Sequence, residues 1–111
     1  MQLWKCGVCN FLYEGAEAPE KCPKCGAAKE NFTALTAEQV EMITKSRRTN
    51  QLHMQLATLM DTIQSISQEG IGLNLDPPCV VIFNKAMEQA RLTQQMIKAE
   101  LEGHMKKGKW G

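Results

Sequence analysis

From residue 36 onward, apolar positions recur at steps of three and four. In the first long segment they are Leu52, Leu56, Leu59, Ile63 and Ile66, with Met60 widening the stripe. That alternation predicts an α-helix with a heptad-type seam for packing against other helices. The earlier part of the segment is less apolar, with Val40, Met42 and Ile43 before a polar run to Gln51. A second stripe reads Val80, Phe83, Met87, Ala90, Gln94, Ile97 and Leu101. Gln94 is its one polar member and is placed to fix register. The pattern predicts a helix over 36–69, a loop over 70–76 and a helix over 77–105. A short connection between two long helices makes an antiparallel hairpin. The first 35 residues show neither period and offer few apolar side chains, chiefly Trp4, Phe11, Tyr13 and Phe32. A segment so short cannot build a stable core unaided.

End signals sharpen these limits. Thr36-Ala37-Glu38-Gln39 fits a capping box with Thr36 as N-cap, and Leu35 and Val40 fit a hydrophobic staple. Gly70 is the expected stop. Asp76 is the expected N-cap of the second helix, with Pro77 at its first position. The apolar residues of 71–75 are expected to tuck back onto the helices, and the tail 108–111 is read as disordered or docking late, with no role. Two helices with one apolar face each bury little as a pair. The expected remedy is a homodimer forming a four-helix bundle.

The chemistry lies in the first third. Cys6/Cys9 and Cys22/Cys25 are two C-x-x-C pairs with twelve residues between them. Each pair is a tight knuckle that aims two thiolates at one point. Two knuckles face to face give the four corners of a tetrahedron, the geometry of a zinc or an iron–thiolate site. Two C-x-x-C disulfides would staple almost nothing, so pairing is the weaker reading. Knuckles need positive φ just after the second cysteine. Gly26 supplies it at no steric cost, and Asn10 is the residue type that tolerates it best after glycine. Metal binding at such sites contributes about 10–16 kcal/mol, so this third is expected to unfold without its ion.

The stretch from Trp4 to Phe32 resembles a rubredoxin-type domain of the short-spaced kind found in rubrerythrins. The matching residues are W-K-C-x-x-C, Tyr13-Glu14-Gly15, Ala18-Pro19-Glu20 and C-P-x-C-G followed by Phe32. Asn10 stands where that family usually has glycine. The resemblance covers the first third of the chain. It implies one iron held by Cys6, Cys9, Cys22 and Cys25, cycling between ferric and ferrous and passing single electrons. The wider group also has zinc-bearing members, and four thiolates accept either metal. Rubrerythrins add a four-helix bundle whose di-iron centre uses glutamates and E-x-x-H motifs. This chain has no E-x-x-H: Asn50 lies three before His53, Leu101 three before His104, and Arg91 three after Glu88. The di-iron peroxidase reading therefore fails.

Charge narrows the partners. The net charge is +1 over 111 residues, which argues against nucleic acid. The basic run Lys45-Ser46-Arg47-Arg48 reads as a solvated helix face. No apolar run approaches a membrane span, and Met1-Gln2-Leu3-Trp4 leads into the knuckles with no apolar leader. A reducing cytoplasm is the expected compartment. Cys79 is the unpaired cysteine, read either as a thiol activated at a helix start or as a small apolar residue, the second being preferred. His53 and His104 each lack a nameable second ligand nearby in sequence, and the methionines read as core filler. No catalytic set is present, and a closed four-thiolate site has no open position for substrate. Two functions remain. One is a single-electron carrier, not an enzyme, whose helical part assembles the protein and docks a redox partner protein. The other is a zinc-ribbon interaction protein with no redox role.

Overall fold

The computed structural model describes residues 2–111; Met1, the expected first residue of the metal domain, lies outside the described residues. The elements run β1 (Leu3–Cys6), β2 (Leu12–Glu14), a 3-10 turn (Lys29–Asn31), β3 (Phe32–Ala34), α1 (Ala37–Leu73) and α2 (Pro77–Lys106). A small rubredoxin-like β/knuckle domain followed by an all-α antiparallel helical hairpin is the fold class expected from the sequence, and the element order agrees with it. The compact units divide at Arg47, with Gly108–Gly111 joining the first and Arg48–Lys107 forming the second. The expected boundary at residue 35 misses the first turns of α1. Ile43, on those turns, is buried and sits with Leu12 beside Gly111.

In the first unit β1 is the central strand of an antiparallel sheet ordered β2-β1-β3. Trp4 pairs with Tyr13 on one side and Ala34 on the other, and Cys6 pairs with Phe32. Leu3 and Cys6 are fully buried. The Trp4 indole N–H donates to the Gly15 carbonyl at 3.1 Å, so the ring packs without stranding its polar atom. Of the two readings of the tail, the docked one holds: Gly108–Gly111 belongs to this unit. Gly108 has φ 71 just past α2, where glycine ends helices without strain. Trp110 is half-buried, and the Arg47 Nε donates to the Gly111 carbonyl at 2.9 Å.

The capping box forms as expected. The Gln39 N–H donates to Thr36 Oγ1 (3.2 Å) and the Thr36 N–H to Gln39 Oε1 (2.9 Å). Asp76 caps α2 by accepting from the Cys79 N–H at 3.0 Å, with Pro77 opening the helix. Gly70, however, does not stop α1. It lies inside the helix, buried, and a Cβ there would run into the Phe83 ring. Its role is close approach between the two helices. The stop is Asn74, in the left-handed region at φ 47, with its N–H on the Ile71 carbonyl. The expected loop of 70–76 shrinks to three residues, and α2 ends within one residue of its predicted limit.

The two helices turn different kinds of face toward each other. On α2 the predicted face turns inward, with Met87, Ala90 and Ile97 buried. On α1 the inward face is Asn50, His53, Ala57, Met60, Gln64, Ser67 and Gly70, each buried or half-buried. The leucine stripe lies one residue round the helix, mostly exposed. Polar partners explain the rotation. Gln64 Nε2 donates to Gln94 Oε1 at 2.8 Å. Gln94 Nε2 donates to the Ala57 carbonyl (2.9 Å) and to Asp61 Oδ1 (2.6 Å). His104 Nδ1 pairs with Asn50 Oδ1. Turning the leucines inward would strand these groups, at about 1–3 kcal/mol for each buried one. Gln94 thus sets the register, as its place in the stripe predicts.

Candidate metal centre

The four cysteines predicted to share an ion come together. The sulfurs of Cys6, Cys9, Cys22 and Cys25 all lie within 4.8 Å of one another. Cys6 Sγ is 3.7 Å from Cys25 Sγ, and Cys9 Sγ is 3.6 Å from Cys22 Sγ. Disulfide sulfurs would be about 2.05 Å apart, so none of the four is bridged. A tetrahedron with metal–sulfur arms of about 2.3 Å has sulfur–sulfur edges of about 3.8 Å. The donor set and its spacing fit a single ion bound by four thiolates.

The local sequence explains the shape. Cys6 ends β1, and the chain turns at once through Gly7 and Val8 to Cys9. The Asn10 N–H closes this knuckle on the Cys6 carbonyl at 2.9 Å, and Asn10 takes φ 67. The second knuckle repeats the plan: the Gly26 N–H reaches the Cys22 carbonyl at 2.9 Å, with Gly26 at φ 78. Both residues expected to adopt positive φ do so. The Gly7 N–H donates to the Asn31 carbonyl at 2.8 Å, tying the first knuckle to the approach to β3. Ala18 and Phe32 are buried beside Cys6 and Cys22, and Trp4, Phe11 and Tyr13 pack around them. Lys29 bridges Glu17 and Glu20 at 3.3 and 3.2 Å outside this cluster, an exposed pair of contacts of small worth.

Backbone dipoles prepare the sulfurs for charge. Burial opposes ionisation of Cys6, but the N–H groups of Cys9 and Val8 aim at its sulfur and hold its pKa below 9.0. Burial likewise opposes Cys22, and the N–H groups of Cys25 and Lys24 bring it down to about 6. At Cys25 the Ala27 N–H favours the thiolate. Burial and the crowded thiols of Cys9, Cys22 and Cys6 outweigh it and push the group up to about 12. Without an ion, one site cannot hold four negative sulfurs. A bound cation removes that repulsion. Exposure is uneven: Cys6 and Cys22 are buried, Cys9 is half-buried and Cys25 is exposed.

The remaining reactive residues lie in the second unit. Cys79 is half-buried, and the Asp76 carboxylate beside it raises its pKa. The hydrogen bond to Asp76 and burial both hold the thiol in its neutral form. His53 and His104 are not the isolated pair that sequence distance implies. Their rings meet edge to face with centroids 6.4 Å apart. His104 is buried, with Nε2 at 3.2 Å from Glu100 as well as the Asn50 contact. The spacing of Glu100 and His104 by four was visible in the sequence; the approach of His53 and Asn50 needed the hairpin register. Among the described residues, the four cysteines are the one group of three or more His, Cys, Asp or Glu side chains placed to hold a metal.

Comparison with known proteins agrees with this geometry. Residues 4–33 match the model of the rubrerythrin, rubredoxin-like domain. Reverse rubrerythrin-1 of Clostridium acetobutylicum is 50% identical over 38 residues, which are 34% of this chain and 21% of the relative. Rubrerythrin of Clostridium perfringens is 74% identical over 23 residues, 21% of this chain and 12% of the relative. Rubrerythrin of Nitratidesulfovibrio vulgaris is 44% identical over 32 residues, 29% of this chain and 17% of the relative. The matched stretch thus spans at most about a fifth of those relatives' own length. No solved structure matches the chain. Residues 4–33 are similar, in sequence and in cysteine spacing, to the rubredoxin-like domain of rubrerythrins, and a helical hairpin without the di-iron motifs follows them.

Proposed function

We propose that the chain is a one-electron carrier working through a single iron held by Cys6, Cys9, Cys22 and Cys25. The observation that carries this reading is the convergence of four unbridged sulfurs within 4.8 Å of one another, two of the pairs at 3.6 and 3.7 Å, within a stretch similar to rubredoxin-like domains. Iron bound there would supply a ferric–ferrous couple at a closed site. The chain's own residues do the rest. The N–H groups of Val8, Cys9, Lys24, Cys25 and Ala27 point at sulfur, and such donors favour the more negative, reduced state. Trp4, Phe11, Tyr13 and Phe32 keep water off the inner side. The two knuckles hold the sulfurs in place through short backbone bonds, which limits rearrangement when charge changes.

Electrons enter and leave by the exposed edge. Val8 is 65% exposed at the tip of the first knuckle, and Cys25 is exposed on the second. A partner protein with its own redox centre would approach there through a small, transient interface. Chemistry on a substrate is not part of the proposal, since four thiolates leave no open coordination position.

The test is spectroscopic. Protein from an iron-replete host, with a parallel anaerobic iron reconstitution, should carry one iron per chain. It should show thiolate-to-iron absorption that bleaches with dithionite and returns on reoxidation. Colourless protein that holds one zinc and refuses iron on reconstitution would overturn the carrier and leave the zinc-ribbon reading.

A further inference from the structure

The hairpin buries one face of each helix and leaves a second apolar face without a partner. On α1 it comprises Leu52, Leu56, Leu59, Ile66 and Leu73, between 41% and 75% exposed, with half-buried Ile63 among them. Leu52, Leu59, Ile66 and Leu73 recur every seven residues, and Leu56 and Ile63 fill the intermediate steps. The stripe is about 30 Å long at 1.5 Å per residue. A groove lined by His53, Leu56, Thr93, Met96, Ile97 and Glu100 puts the α2 side chain Met96 on this same side. Ile82 lies fourteen residues before Met96, four helical turns, and so shares its face. Met96 is 69% and Ile82 64% exposed.

We propose that this face binds a second copy of the chain, closing two hairpins into a four-helix bundle. Three observations select that occupant. The stripe is a heptad seam, which needs helices with the same repeat opposite it, and the copy supplies one. The apolar side chains offer roughly 700 Å² per copy, near the ~800 Å² per partner of a standard interface. From Leu52 to Leu73 the seam on α1 carries no charged residue. Two copies can therefore bring their α1 seams together about a two-fold axis without opposing like charges there. The interface differs from the one the hydrophobic pattern suggests. The stripe that looks like the seam within the hairpin is the seam between copies. The small and polar stripe beside it closes the hairpin.

The experiment is sedimentation equilibrium on the full, metal-loaded chain between 1 and 100 µM, at about those limits. The wild type should weigh twice the 12.4 kDa of one chain. Leu59→Glu should raise the dimer dissociation constant by about 100-fold or more, since a charge enters an apolar seam twice per dimer. Leu59 is 58% exposed in the single chain, so helix content by circular dichroism should hold. Arg91→Glu, at an exposed residue half a turn round α2 from Ile82, is the control and should leave the dimer intact. A monomeric wild type across that range overturns the proposal; if the monomer coats anionic vesicles, the face belongs to a membrane surface. Equal weakening by both substitutions overturns it as well.

Discussion

Replacing Gly70 with alanine separates two roles that a glycine near a helix end can have. Alanine in a helix interior is worth about 1 kcal/mol over glycine. If Gly70 were only a weak point in α1, Gly70→Ala would stabilise the hairpin by that amount. The Phe83 ring changes the sign. Three of its atoms lie where the new methyl group would stand, far inside normal contact. Forcing a methyl group into such a site costs typically 1–3 kcal/mol. The upper half of that range applies, because the obstruction is a rigid ring face. The net expectation is a loss of about 1–2 kcal/mol. That should lower the melting temperature of the hairpin by about 4–15 °C, scaling from small domains. The companion measurement uses Phe83→Ala, which removes the ring. In that background Gly70→Ala should stabilise by about 0.5–1 kcal/mol, so the effect reverses sign. The assay is thermal and urea unfolding followed at 222 nm, at one fixed protein concentration with metal bound. Equal stabilisation in both backgrounds would mean that the ring does not cover Gly70. Equal destabilisation in both would mean that Gly70 serves its backbone conformation, as a helix stop does.

Three further outcomes follow from the contacts described. Gln94→Ala should cost the hairpin about 1–3 kcal/mol, because Gln64 and the Ala57 carbonyl lose their partner; urea unfolding measures it, and an unchanged midpoint would refute the role of Gln94 in register. Metal affinity should rise with pH: the Cys25 thiol, held up to about 12, keeps its proton at neutral pH in the metal-free site, so each ion must displace at least that one. Chelator competition with zinc between about pH 6 and 8 should show at least a tenfold gain per pH unit, and a flat profile would contradict it. Asp76→Ala should remove the cap of α2, at about 1 kcal/mol. It should also let the Cys79 pKa fall toward its ordinary value, since Asp76 holds it up. Metal-loaded protein titrated with a thiol reagent near pH 8 should then react faster at Cys79; an unchanged rate would show that the carboxylate does not govern the thiol.

Much of the metal centre was legible because it is local. The cysteine spacing, Asn10 and Gly26 at positive φ, the Thr36–Gln39 box and the Asp76 cap all depend on residues within a few positions of one another. The α2 face was legible too, since its stripe is the most apolar in that helix and also the buried one. On α1 the most apolar stripe is not the one that faces α2. Hydrophobicity ranks faces, but the choice of face here is made by Gln94 and His104, which find their partners only at Gln64, Ala57, Asp61 and Asn50. Gly70 misled for a similar reason: helix stops and close approaches both call for glycine, and only the Phe83 ring across the hairpin distinguishes them. The docking of Trp110 and Gly111 beside Arg47 joins residues more than sixty apart, beyond the reach of any periodic pattern.

The uneven cover of the four sulfurs gives the centre a direction in which it ages. Peroxide and other oxidants diffusing in from solvent meet Cys25 before they meet Cys6 or Cys22, which lie behind the aromatic wall. Once that corner becomes a sulfenic acid it no longer serves as a thiolate donor, and three sulfurs must hold what four held. The corner of the site most open to solvent is thus also the one through which it is lost first.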